Sequence, residues 1–412
     1  MADKPNQELY DARLKRILDA AALKVPDRVP VLGPYQKYPY GFAGVSFKDA
    51  MNDYAVAREA CHKFLDYFQP DADFGPIFAY PAKAMELFGW KAFKWPGHGL
   101  GDDVMYQYVD GEYMTDEEYD EFIFDPSDFM LRKWAPRQFT SMEGFSQFVP
   151  WRRFMWSGWM NLGFWTSDEF QQTLRDITAG AEELNKWWGS QAQYWGEIGD
   201  KGYPLAFAGW DWAPFDILGD TLRGTRHILA DMRRRPEKLH AALEVATKIF
   251  VEYGSGAAGA PLPFTWVWIH KSTRDFMSDS QFDEFYWHYL RKGLMALIDK
   301  GITPVIYWEA DWESRMEHIR DVPAGKMVYH LSNTNYEKAK DVLGDRVCLM
   351  GNVPNITLLS GTPDDVRAYC KKMIDTFKDG GLIMDAALML DEAKPENLKA
   401  MIDFTKEYGV YG

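Results

Sequence analysis

The sequence predicts an α/β fold: a (β/α)8 TIM barrel with an elaborated, aromatic-rich cap in its N-terminal half, the 412 residues forming one domain. Three observations carry this. After residue 203, short apolar, β-rich runs alternate five times in succession with amphipathic helical stretches, the pattern of a parallel sheet with helical crossovers. No glycine-rich phosphate loop follows these runs, which favours a closed barrel over a doubly wound sheet. Between 85 and 165 the chain is dense in Trp, Tyr and Phe and lacks the alternation, as a cap over a barrel mouth would. A separate N-terminal domain is the alternative that length allows.

Taken in order, residues 1–27 read as a polar helical extension without the apolar core of a signal peptide. RVPVLGPY (28–35) is expected as the first strand, a helix follows from Phe47 to Phe68, and then comes DADFGPIF (71–78). VMYQYVDGEYM (104–114) predicts a hairpin within the cap. YPLAFAGW (203–210) precedes a long helical region broken at Pro236, and PLPFTWVWI (261–269) precedes a helix opening at Ser278 or Asp279. ITPVIYW (302–308) leads to a short helix around 313–319, and KMVYH (326–330) to a helix over Tyr336–Leu343. RVCLMG (346–351) precedes a helix from Thr362, where a cap residue, Pro363 and two acids make a strong start signal. GLIMD (381–385) and a helix over Pro395–Tyr408 close the pattern.

A formal net charge of −15 repels phosphate backbones, and the basic clusters Arg152-Arg153 and Arg233-Arg234-Arg235 are short, so nucleic-acid binding is not expected. Cys61, Cys348 and Cys370 are odd in number and far apart, which argues against a disulfide framework or a thiolate zinc knuckle. No apolar run approaches the ~18 residues of a membrane span, and the expectation is a soluble, cytoplasmic protein.

Catalytic groups of such barrels sit at the C-terminal ends of strands. Here those ends read His270, Glu309 with Asp311, His330, Asn352 and Asp385, with Asp211 upstream between Trp210 and Trp212. His nitrogen and carboxylate oxygen together suit zinc, so Glu309, His330 and His270 are the candidate metal ligands. Asp311, Asp385 and Asp211 are candidates for further ligation or for acid–base work, and each is equally at home as a cap. Trp210, Trp212, Tyr307, Trp308, Trp312 and Asn352 are the candidate substrate contacts of a flat apolar pocket. His227, His240, His288 and His318 fall inside helical stretches and are expected to pack or to face solvent.

RVPV near the start, residues 213–244, FMSDSQFDEFYW (276–287), GNVP (351–354) and DEAKPENLKAMIDFTKEYG (391–409) together resemble the uroporphyrinogen decarboxylase superfamily. The likeness covers most of 28–410 and implies a barrel. The tetrapyrrole decarboxylases of that superfamily carry an arginine-rich segment after the first strand, where this chain has Tyr35-Gln36-Lys37-Tyr38-Pro39-Tyr40. An arginine-free aromatic mouth is a poor host for a polyanion. The corrinoid-dependent methyltransferases resemble it more. Their methanol and methylamine type uses His-x-Cys and a late Cys on zinc, where this chain has His330-Leu331-Ser332 and Leu388. The aryl methyl ether demethylase type pairs a Glu and a His with twenty residues between them, which Glu309 and His330 match, while its first acid falls on Leu294.

The resemblance implies a methyltransferase that moves a methyl group from a small methoxylated, aromatic substrate to the Co(I) of a corrinoid carried by a separate protein. A zinc ion on Glu309 and His330 would act as Lewis acid on the ether oxygen. The competing expectations are a metal-independent decarboxylase with Asp211 or His330 as proton donor, and a non-catalytic scaffold on a degenerate barrel. Self-association, where it occurs, is expected to give a homodimer.

Overall fold

The computed structural model describes residues 6–33, 36–155, 157–387 and 389–411. Six parallel strands follow one another in chain order around a sheet: β1 (Gly209–Trp212), β2 (Phe264–Ile269), β3 (Thr303–Trp308), β4 (Val328–Leu331), β5 (Cys348–Val353) and β6 (Leu382–Ala386). Two extended segments close the ring. Val31 bridges Met384 in parallel, the Asp71 amide donates to the Val31 carbonyl at 2.8 Å, and Asp73 bridges Leu205 in parallel. The Ala208 amide then donates to the Phe264 carbonyl at 2.8 Å, joining this side to β2. With its parallel strands and helical crossovers this is the barrel that the alternating pattern predicts.

The helices begin where their caps say they should. Thr362 accepts from the Asp365 amide and Asp365 accepts from the Thr362 amide, a reciprocal pair that opens Pro363–Thr376. Ser278 and Gln281 do the same before the helical run that ends at Asp299. Pro236 separates Thr225–Arg234 from Pro236–Gly254.

Several local expectations fail. The stretch 47–68 is two helices, Phe47–Asn52 and Tyr54–Phe68, because Asp53 turns extended and caps the second through the Ala55 and Val56 amides. Residues 104–114 do not pair with each other; Gln107–Tyr108 runs antiparallel to Phe93–Lys94 instead. Residues 313–319 form turns rather than a helix. The sequence reading also passed over the longest helix, Asp168–Asp200, which Ser167 caps and which packs along the Ala82–Phe88 helix. Tyr35 and Leu388 lie outside the described residues. Among the described residues, no helix is long and apolar enough to cross a membrane.

In-register parallel neighbours share a face, so the pairing of Trp212 with Trp268, of Trp268 with Tyr307, and of Tyr307 with His330 sets one band of rings around the bore. The residues between them turn outward to the helices. Asp211 is one of these: its Oδ2 lies 3.3 Å from where a Cβ on Gly254, at the end of Pro236–Gly254, would stand.

Candidate functional site

A cavity of about 330 Å3 opens at the C-terminal ends of the strands. Its walls are aromatic: Trp210, Trp212, Trp266, Trp268 and Tyr307 come from the strands, and Tyr80 and Tyr106 stack on each other at 4.4 Å from the cap side. Among its described lining residues, His270 and Glu309 are the acid and base groups; no arginine or lysine is present. Gln36 lines it too, whereas the neighbouring Lys37 reaches the Asp103 carbonyl on the surface.

His270 sits immediately past β2 and is held from two sides by one helical turn. Asp216, in Pro214–Leu218, accepts from the backbone amides of His270 at 2.9 Å and Lys271 at 3.0 Å, and also from the Tyr286 hydroxyl. Asp220, four residues on, meets His270 Nδ1 at 2.7 Å and pairs with Lys271 Nζ. A spacing of four puts both carboxylates on one face of that turn. With Nδ1 engaged, Nε2 is the ring nitrogen left for a ligand. Burial opposes the charge on His270, but Asp220, then Asp216 and Glu309, outweigh it and push its pKa up to about 9. Asp220 is the mirror case: burial raises it, and His270 with Lys271 bring it below the usual carboxylate range. Glu309 is raised by burial first, with His270 opposing and the two aspartates adding. It stands just beyond β3, where Ala310 takes a left-handed φ of 68° and turns the chain.

The remaining predicted residues separate from this pair. His330 is fully buried, stacks on Tyr307 at 4.6 Å and brings Nε2 to the Ala386 carbonyl at 2.9 Å. It does not line the cavity, its Nδ1 has no partner, and burial lowers its pKa to about 4, so it is a neutral imidazole packed beside Tyr307 and covered from the cavity. Glu309, His330 and His270 are therefore not assembled as a ligand set, and among the described residues no three His, Cys, Asp or Glu side chains group to hold a metal ion. The donors present do not fit the expected zinc.

Asp211 faces the helix layer, bonded to the Trp212 amide, and burial raises its pKa to about 8. Asp385 is buried in the same manner against the Ala386 amide, and burial pushes its pKa well up. Asp311 is exposed and caps its own turn through the Glu313 amide. Trp308 and Trp312 pack on each other at 4.3 Å, beside Trp287 and Phe282, on the helix side of β3. They belong to the core because Trp308 alternates with Tyr307, and Tyr307 has the inward place. Asn352 pins a loop: its Nδ2 donates to the Ser332 and Thr334 carbonyls, and its Oδ1 accepts from Tyr369. Trp210, Trp212 and Tyr307 are the predicted substrate contacts that do line the cavity. Sequence reading missed Asp216 and Asp220, whose signal was a pair of acids one helical turn apart just after β1.

A family model for uroporphyrinogen decarboxylase (URO-D) matches residues 204–408, the segment that carries β1–β6. Curated uroporphyrinogen decarboxylases of Chlorobium phaeobacteroides and Chlorobium luteolum are 28% identical over 216 residues and 27% over 213. These alignments cover 50% and 49% of this chain and 60% and 59% of those proteins, so the chain spans about 60% of the length of the curated relatives it matches. A solved methyltransferase from Methanosarcina mazei shares the fold over 96% of this chain and 98% of its own, with a TM-score of 0.64 at 16% identity.

Proposed function

We propose that this chain, whose residues 204–408 match the uroporphyrinogen decarboxylase family model and whose fold is shared with a methyltransferase, is an enzyme that transfers a methyl group from an uncharged methoxylated aromatic compound to an external nucleophile. The acceptor in this reading is the Co(I) of a corrinoid carried by a separate protein. The observation that carries it is His270, a protonated imidazole clamped by Asp220 inside an aromatic cavity that lacks arginine and lysine.

An aryl methyl ether resists attack at its methyl carbon because a bare phenolate leaves poorly. The carbon–oxygen bond breaks more easily if the oxygen takes up a proton as it departs. His270 Nε2 supplies that proton, the methyl passes in line to the nucleophile, and the product is a neutral phenol. His270 then regains its proton from solvent. Asp220 keeps the imidazole oriented and favours its charged form, while the indoles of Trp210 and Trp212 offer faces to the flat substrate and the aromatic walls exclude water. The work expected of a zinc ion falls to this imidazolium, since His330 does not line the cavity and its Nε2 is bonded to the Ala386 carbonyl.

Decarboxylation of a porphyrinogen would set many carboxylates against walls without arginine or lysine. The proton donors considered for a smaller acid, Asp211 and His330, do not line the cavity. The test is to incubate the protein with reduced cobalamin and a panel of methoxyarenes and benzoic acids. Stoichiometric phenol with loss of Co(I) absorbance supports methyl transfer. Carbon dioxide release without loss of Co(I) identifies a lyase.

A further inference from the structure

A second chamber, larger than the first, lies against the cavity just described. Its volume is about 600 Å3, and Tyr80, Trp210, Trp212 and His270 line both spaces. The far wall comes from outside the barrel, from the helix Ala82–Phe88 and from the long helix Asp168–Asp200, which contribute Met85 and Leu184 among other side chains. Formal charge enters this wall at Asp220 and His270, which are paired with each other. A charged ligand would find no free counter-ion among the described lining residues, whereas an apolar body would meet hydrocarbon and aromatic faces on nearly every side.

We propose that this chamber binds the apolar body of the substrate, so that the methyl donor straddles His270. The methoxyl group occupies the smaller cavity, and an uncharged ring system of at least two rings extends into the larger. The inference rests on the methyl-transfer reading for the identity of the methoxyl end. In an aryl ether the oxygen lies between methyl and ring, and His270 lies between the two chambers, so protonation at that oxygen puts the two ends on opposite sides of the imidazole. A single ring would leave most of the 600 Å3 unfilled. Asp168–Asp200 and the cap then set specificity, and the strand ends carry the chemistry.

Equilibrium dialysis of the full chain against 4-methoxyphenol and 4-methoxy-4′-hydroxybiphenyl tests this without requiring turnover. The wild type should bind the two-ring ether more tightly by about tenfold or more, within the range that one apolar contact region can discriminate. Leu184→Trp and Met85→Trp narrow the chamber from two different helices. Each should abolish the two-ring preference while keeping the one-ring Kd, which also serves as the control for folding. Equal affinity for the two ethers in the wild type overturns the assignment, as does a preference that survives both substitutions. Phenol release is followed in parallel samples that also contain reduced cobalamin as the methyl acceptor. A two-ring preference of the expected kind with no phenol formed would sink the methyl-transfer reading and leave the chamber as the binding site of an apolar ligand.

Discussion

His270 Nδ1 and Asp220 Oδ2 lie 2.7 Å apart, and this contact separates the one charged imidazole facing the cavity from the other histidine of the strand ends. His330, equally a strand-end histidine, meets a backbone carbonyl instead and is held neutral by burial. The chemistry assigned to the protein follows from that difference.

His270→Gln keeps a hydrogen-bonding side chain of similar size but removes the proton. Its kcat for methyl transfer should fall by ~10²- to 10⁴-fold, the usual worth of a general acid. KM should change little, because the aromatic walls are untouched. A kcat within threefold of wild type in steady-state assays would assign the proton to another group.

Treatment with a strong chelator should leave the rate of methyl transfer unchanged, since His330 does not line the cavity with Glu309 and, among the described residues, no three such donors group together. Loss of activity on dialysis against chelator, restored by stoichiometric zinc, would mean that ligands come together in solution in a way this conformation does not show.

Asp211 tests the outward side of β1. Burial raises its pKa to about 8, so the folded state keeps a proton that the unfolded state releases above ~3.9. That contribution to stability is full below ~3.9 and is lost as pH rises through about 8. Asp211→Asn should flatten this part of the pH dependence of unfolding in urea and leave turnover intact. A variant that unfolds with the wild-type pH slope, or that loses activity, contradicts the placement.

Trp308 and Trp212 should part company. Trp308→Ala empties a fully buried core position and should cost about 3–5 kcal/mol of stability with modest change in ligand affinity. Trp212→Ala strips a cavity wall and should weaken binding more than folding. Paired denaturation and dialysis measurements decide this, and equal losses in both quantities for both variants would argue that the two indoles do the same job.

Much of the barrel was legible because its signals are local and periodic. Apolar runs such as TPVIYW, the Thr362-Pro363 start, and the helices Tyr336–Leu343 and Pro395–Tyr408 needed nothing beyond their own residues. The site was less so. A strand end announces a polar residue but not the face it takes, and a shift of one position sends Trp308 into the helix layer and Tyr307 into the bore. The expected zinc site relied on spacing between Glu309 and His330 along the chain, which cannot report that His330 stacks beside Tyr307 with its Nε2 spent on the Ala386 carbonyl. Asp220 was hidden because its role needs a contact across fifty residues, to His270. The cap gave least away: its strand pairing, Gln107–Tyr108 on Phe93–Lys94, is short and carries no hairpin turn of its own.

The central claim is that Asp220 maintains His270 as the proton donor, and the pH profile of kcat in the wild type and in Asp220→Asn tests it most directly. The wild-type rate should hold to about pH 9 and then fall as His270 loses its proton. In Asp220→Asn the alkaline limb should move down toward the ordinary imidazole value of ~6.5 or below, because burial then acts on the ring with less to oppose it. An alkaline limb at the same pH in both proteins would contradict the account.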